Sequence, residues 1–150
     1  MSLKNVVIVS AKRTPTGSFQ GILLPLNATD LGVHALTETL KDSTVLAQEI
    51  DAVFMGCVLS AGLGQAPARQ AALKAGLPQS THCTTVNKVC GSGLKSVMLA
   101  HDSIQVGSCS VVLAGGMESM SNAPYLSQGA RSGLRMGHHQ FLDHMMVDHF

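Results

Sequence analysis

Apolar and polar positions alternate between two periods along most of this chain. Asn5 to Ser10 is a continuous β-branched run, the pattern of a buried, parallel strand. Asn27, Thr29 and Asp30 offer capping side chains, and Leu31, Ala35, Leu36 and Leu40 then recur on one helical face, with His34 at its edge in a structural role. Ala52 to Leu59 is a second apolar strand, with Cys57 facing the core. An Ala-rich helix starts near Pro67, a residue tolerated in a first turn, and is stopped by Gly76-Leu77-Pro78. Thr81 to Val89 is a third strand, in which Cys83, Thr85 and Asn87 share one face and His82, Thr84 and Val86 the other. Leu94 to Val106 is helical and apolar on several faces, so it is expected to be buried on several faces, His101 included. Ser110 to Ala114 is a fourth strand, ending at Gly115-Gly116. The resulting β-α-β-α-β-α-β order predicts a doubly wound α/β arrangement, whose ligands bind beyond the C-terminal ends of the strands.

After Ser121 the periodicity fades. Residues 124–139 are rich in Gly, Ser and Arg, and residues 136–150 carry His138, His139, His144 and His149 with Asp143 and Asp148. Imidazole and carboxylate are good metal ligands, but a spacing of five between His139, His144 and His149 does not stack on one helical face. A solvated loop is the reading, with no metal. We therefore divide the chain into 1–119, an α/β unit, and 120–150, the start of a loop-rich insertion.

Composition narrows the function. Hydrophobic residues make up 45% and charged residues only 13%, which is apolar enough to expect extensive burial against partners or further segments. The formal net charge is +1 without a basic block, which argues against nucleic acid. No apolar run approaches membrane-spanning length, and the run from Asn5 follows so soon that a leader is not expected. Four cysteines without paired spacing suit a reduced, cytoplasmic setting.

One of those cysteines stands apart. Cys90 ends the third strand, and Gly91, Ser92 and Gly93 follow before the helix. At a helix N-terminus, free N–H groups and the helix dipole favour thiolate and can hold an oxyanion. Gly91 and Gly93 would let a substrate approach the backbone. An inert core cysteine before an ordinary capping turn has the same local pattern, so local chemistry leaves both readings open.

Asn87-Lys88-Val89-Cys90-Gly91-Ser92-Gly93-Leu94-Lys95 resembles the nucleophile motif of the thiolases, particularly the acetoacetyl-CoA branch. Gly115-Gly116-Met117-Glu118-Ser119-Met120-Ser121 resembles a second motif of that family. Further matches are Gly64 to Ala72 with Gly76-Leu77-Pro78, and the opening Val6 to Ala11 with Arg13-Thr14-Pro15. The resemblance implies a layered αβαβα fold, of which this chain gives most of the N-terminal half and the start of the loop domain. It implies condensation of two acetyl-CoA to acetoacetyl-CoA and CoA, or the reverse thiolysis. Cys90 would be the acyl-carrying nucleophile with its N–H in an oxyanion site, Gly91, Ser92 and Gly93 would support it, and Met117 and Phe150 would border the substrate pocket. It further implies a homodimer or tetramer, with the third strand beside the two-fold axis, and no cofactor beyond CoA.

Departures from the pattern limit the carry-over. The family's catalytic His-Pro and Cys-x-Gly pairs occur nowhere in the sequence, so the base is expected from outside these residues. Asp148-His149-Phe150 stands where the branch commonly has Asp-Gly-Leu, which affects the expected acyl-chain preference. The competing expectations are a broader 3-ketoacyl-CoA thiolase, a ketoacyl or HMG-CoA synthase relative, and a non-catalytic truncated half. The Gly116 to Met120 stretch favours thiolase over the synthases. Continuation of the natural chain past 150 with the missing motifs would separate the enzyme from the module.

Overall fold

The computed structural model describes residues 5–147. Its centre is a three-stranded parallel sheet of β1 (Ala52–Gly56), β2 (His82–Val86) and β3 (Val112–Gly116), in the order β2-β1-β3. Three helices surround it: α1 (Ala28–Asp42), α2 (Pro67–Lys74) and α3 (Ser92–Gln105). Strand alternation sorts them. Val53, Met55 and Cys57 point to one side and form a core with Leu36, Ala68, Ala71 and Ala72 of α1 and α2. Gly56 faces the other side, where α3 lies. The molecule is thus an α/β layered unit, built on parallel strands buried between helices.

Local chemistry accounts for the ends of these elements. Asn27 caps α1 through a capping box, its Oδ1 accepting the Asp30 N–H at 3.0 Å while the Asp30 carboxylate accepts the Asn27 N–H. Pro67 opens α2 and Gly76, at φ +91°, follows its end. Asp51 secures the start of the sheet: its carboxylate accepts the N–H groups of Ser110 (2.6 Å) and Val111 (3.1 Å). These two hydrogen bonds, Ser110 first, hold its pKa below the usual 3.8.

Several sequence expectations need correction. Asn5 to Ser10 forms no strand, so the central sheet has three strands and not four. β1 is paired on both of its sides, with β2 and with β3, and the N-terminal run joins no ladder. It lines a groove of about 560 Å³ with α1, α3 and β3, and Ile8 stays 81% exposed, so the run lacks the burial that turns β-propensity into a strand. β1 stops at Gly56 instead of Leu59, and β3 runs through Gly115-Gly116 instead of ending before them. β2 ends at Val86, and α3 starts two residues before Leu94. His101 is exposed, not buried, with Nδ1 3.3 Å from Asp102. The several-sided apolar surface of α3 is only partly covered, since Leu94 is 69% exposed.

Beyond Ser121 the chain is less loop-like than its composition predicts. Tyr125–Leu126 (β4) pairs antiparallel with Leu142–Asp143 (β5), and His144–Val147 (α4) follows. His144 is buried, whereas His138 and His139 lie on exposed stretches as expected. Asp148, His149 and Phe150 lie outside the described residues. No helix among the described residues is long and apolar enough to cross a membrane.

Candidate active site

The site begins with close packing. A Cβ on Gly56 would stand 2.6 Å from the Ser92 carbonyl carbon and 2.7 Å from the Gly93 nitrogen. A Cβ on Gly116 would stand 3.2 Å from Gly93 Cα. Glycines at the ends of β1 and β3 therefore let the first turn of α3 press directly onto the sheet. Only in that position does the turn before α3 overhang the strand C-terminal ends.

That turn is held by its own side chains. Asn87 Oδ1 accepts the Val89 N–H at 3.0 Å, and the buried Ser92 hydroxyl accepts the Lys88 N–H at 2.8 Å while donating to the Val89 carbonyl at 2.6 Å. Backbone bonds from Gly91 to Lys88 and from Ser92 to Val89 close it. Val89 adopts φ +48°, a conformation unusual for a β-branched residue and retained here by the five hydrogen bonds of the turn. Cys90 follows, exposed, one residue before the Gly91 N-cap of α3.

Cys90 borders a cavity of about 440 Å³. Gly56, Ser92, Gly93 and Gly116 contribute its backbone side; Val58, Leu59, Met117, Met120 and Met145 make the rest largely apolar. Glu118 also borders it, with Oε2 accepting the Val58 N–H at 2.9 Å and Oε1 the Leu59 N–H at 3.1 Å. The Cys57 thiol lies 3.7 Å from Glu118 Oε1. Burial first, and then the Glu118 charge, push the Cys57 pKa from 9.0 up to about 12. Burial also raises Cys83, against the opposing pull of Arg69. Those two thiols are kept protonated. Cys90 combines exposure, a helix N-terminus and an adjoining cavity.

Residues 6–150 match the family model of the thiolase N-terminal domain. The chain belongs to the thiolase family. Over 97% of its length it is 54% identical to acetyl-CoA acetyltransferase 1 of Arabidopsis thaliana, covering 35% of that protein. It is 50% identical to the acetyl-CoA acetyltransferase of Pseudomonas aeruginosa and 52% identical to that of Escherichia coli, covering 37% of each. The chain thus spans little more than a third of the length of the thiolases it matches.

The thiolase motifs acquire physical meaning in the structure. Gly91 caps α3, Ser92 laces the turn, Gly93 lies on Gly116, and Met117 is buried at the cavity wall. Phe150 lies outside the described residues. Sequence reasoning quoted Glu118 and Met120 within a motif without giving them a site role, and did not single out Gly56, Val58, Leu59 or Met145. Glycine at the end of an apolar strand was the available signal for Gly56. Nothing local signals Met145, which comes from a segment that only the fold brings to the cavity. Ser119 of the second motif and Asn122 just beyond it donate to the Leu26 carbonyl, tying the 24–26 loop to the end of β3.

Proposed function

We propose that this chain is the nucleophile-bearing part of an acetyl-CoA C-acetyltransferase. The observation that carries the reading is Cys90, presented on a laced turn at the N-terminus of α3 above an apolar cavity, in a thiolase domain. The Cys90 thiolate attacks the carbonyl carbon of acetyl-CoA; a carbon–sulfur bond forms, the bond to CoA sulfur breaks, and CoA leaves as thiolate to be protonated. A second acetyl-CoA loses an α-proton, and its enolate carbon attacks acetyl-Cys90. The carbon–carbon bond forms as the Cys90 thioester breaks, giving acetoacetyl-CoA and regenerating the thiolate. Thiolysis is the same sequence reversed. The backbone N–H of Cys90 contributes to the oxyanion site.

The enolate step needs a base close to the α-carbon. Glu118 is the carboxylate at the cavity, but both of its oxygens already accept backbone N–H groups. We assign the base to residues outside 1–150, and give CoA as the only coenzyme, used as substrate. The setting we propose is the cytoplasm and the assembly a homo-oligomer.

The test incubates the purified full protein with acetyl-CoA and maps the acetyl group by peptide mass spectrometry. Acetylation at Cys90 with stoichiometric CoA release, absent in Cys90→Ser, is the expected result. Acetyl transfer persisting in Cys90→Ser would overturn the assignment.

A further inference from the structure

The sequence pattern carries the β1 apolar run on through Cys57, Val58 and Leu59, yet the chain leaves the sheet after Gly56. Glu118 explains the departure. Its two oxygens take the consecutive N–H groups of Val58 and Leu59. Val58 is half-buried and Leu59 is buried, and both side chains border the cavity that holds Cys90. Among the described residues no cation pairs with Glu118, so its charge is met by these backbone dipoles and by the Cys57 thiol. Charge-assisted bonds of this kind are stronger than neutral ones, and a two-oxygen clamp fixes direction as well as distance.

We propose that Glu118 is a positioning residue for acyl-group size: by clamping the Val58 and Leu59 N–H groups to the end of β3, it fixes part of the wall of the cavity that Cys90 borders and limits the group the cavity admits. The proposal deepens the acyl-transfer reading and rests on it for the word acyl; the wall itself rests on geometry alone. A glutamine in the same place offers one oxygen and turns an NH₂ toward the second backbone N–H, so one bond is lost and two donors face each other. An aspartate is too short to reach both amides from the same backbone. In either variant the Val58–Leu59 wall is released while Cys90 and its turn, held by Asn87 and Ser92, stay intact.

The experiment uses the full protein and two alkylating reagents with the same chemistry and leaving group, iodoacetamide and its bulkier N-phenyl derivative. In each, the Cys90 sulfur–carbon bond forms as iodide leaves. The ratio of their rate constants at Cys90, read by peptide mass spectrometry, measures size selection and requires no turnover. Glu118→Gln is expected to narrow the preference for the small reagent by about fivefold, the scale of one net hydrogen bond, and Glu118→Asp by a similar factor, with the iodoacetamide rate little changed. An unchanged ratio in either variant, with a native circular dichroism spectrum, would overturn the proposal, because a role in stability alone lowers the melting temperature without altering size selection. Acetylation of Cys90 by acetyl-CoA is followed in parallel. A changed ratio without acetylation in the wild type supports Glu118 and sinks the acyl-transfer reading; acetylation with an unchanged ratio does the reverse.

Discussion

At the level of single residues, four thiols share one chain and differ in what surrounds them. Cys57 sits under the cavity with its pKa raised from 9.0 to about 12, first by burial and then by Glu118, so almost none of it is thiolate near neutrality. Limiting iodoacetamide on the folded full protein should label Cys90 before all others; faster modification of Cys57 or Cys109 would remove Cys90 from its role. The same shift has a consequence for stability. A group whose folded pKa is raised stabilises the fold fully below its unfolded value and loses that contribution as pH rises through the folded value. Cys57 should therefore weaken the fold as pH climbs from 9 toward 12, and Cys57→Ala should flatten that part of a denaturation-versus-pH curve. A variant curve parallel to the wild-type curve would show that another group controls the alkaline limb. The proposed nucleophile was legible in the sequence because a motif surrounds it. Its clamp was not, since Glu118 and Leu59 are 59 positions apart and meet only when β1 and β3 pair.

At the level of elements, the site depends on how closely α3 approaches the sheet. Gly56→Ala would place a methyl group 2.6 Å from the α3 backbone, where no side chain can rotate away. Overpacking of this kind costs about 1–3 kcal/mol, and contact with two backbone atoms of α3 puts this case at the upper end. The variant should unfold at a lower urea midpoint and acetylate Cys90 more slowly, because the turn is carried by the displaced helix. Wild-type stability and acetylation together would show that α3 shifts without consequence. Helices α1 and α2 and their end signals followed directly from the sequence, since Asn27, Asp30, Pro67 and Gly76 act on their immediate neighbours. The strand ends did not. Gly115 and Gly116 signal a turn to any local rule, yet they belong to β3, where Gly116 lies against Gly93 of α3 and Gly115 against Met55. The run at Asn5 to Ser10 has every local mark of a strand and gains no partner here. Ladder pairing is a property of the sheet, and β-propensity reports only suitability for one.

The whole molecule leaves two surfaces open. β2 is an edge strand, with exposed His82 and Thr84 and with main-chain groups available for pairing. We expect two copies of the full protein to meet along that edge, and light scattering that shows a stable monomer at micromolar concentration would count against it. The second surface belongs to α3 and the N-terminal run: Leu94, Val97 and Met98 stand exposed on one, and Val7, Ile8 and Val9 on the other. Apolar area of this kind marks a missing partner or an aggregation hazard. Residues 1–150 produced by themselves should bind a hydrophobic dye strongly and elute as aggregates. Their chemistry should be equally incomplete. In the proposed reaction Cys90 accepts an acetyl group, but both oxygens of Glu118 are committed to backbone amides, and burial raises the pKa of the buried Cys57 and of the half-buried Cys83. On the proposed roles, carbon–carbon bond formation has no assigned base among the described residues. Supplied with acetoacetyl-CoA and CoA, the 150-residue chain should show at most slow acylation at Cys90 and no sustained loss of thioester. Turnover equal to that of a complete thiolase, and abolished by Cys90→Ser, would mean that the base lies within these residues and that the division of roles drawn from the cavity is wrong.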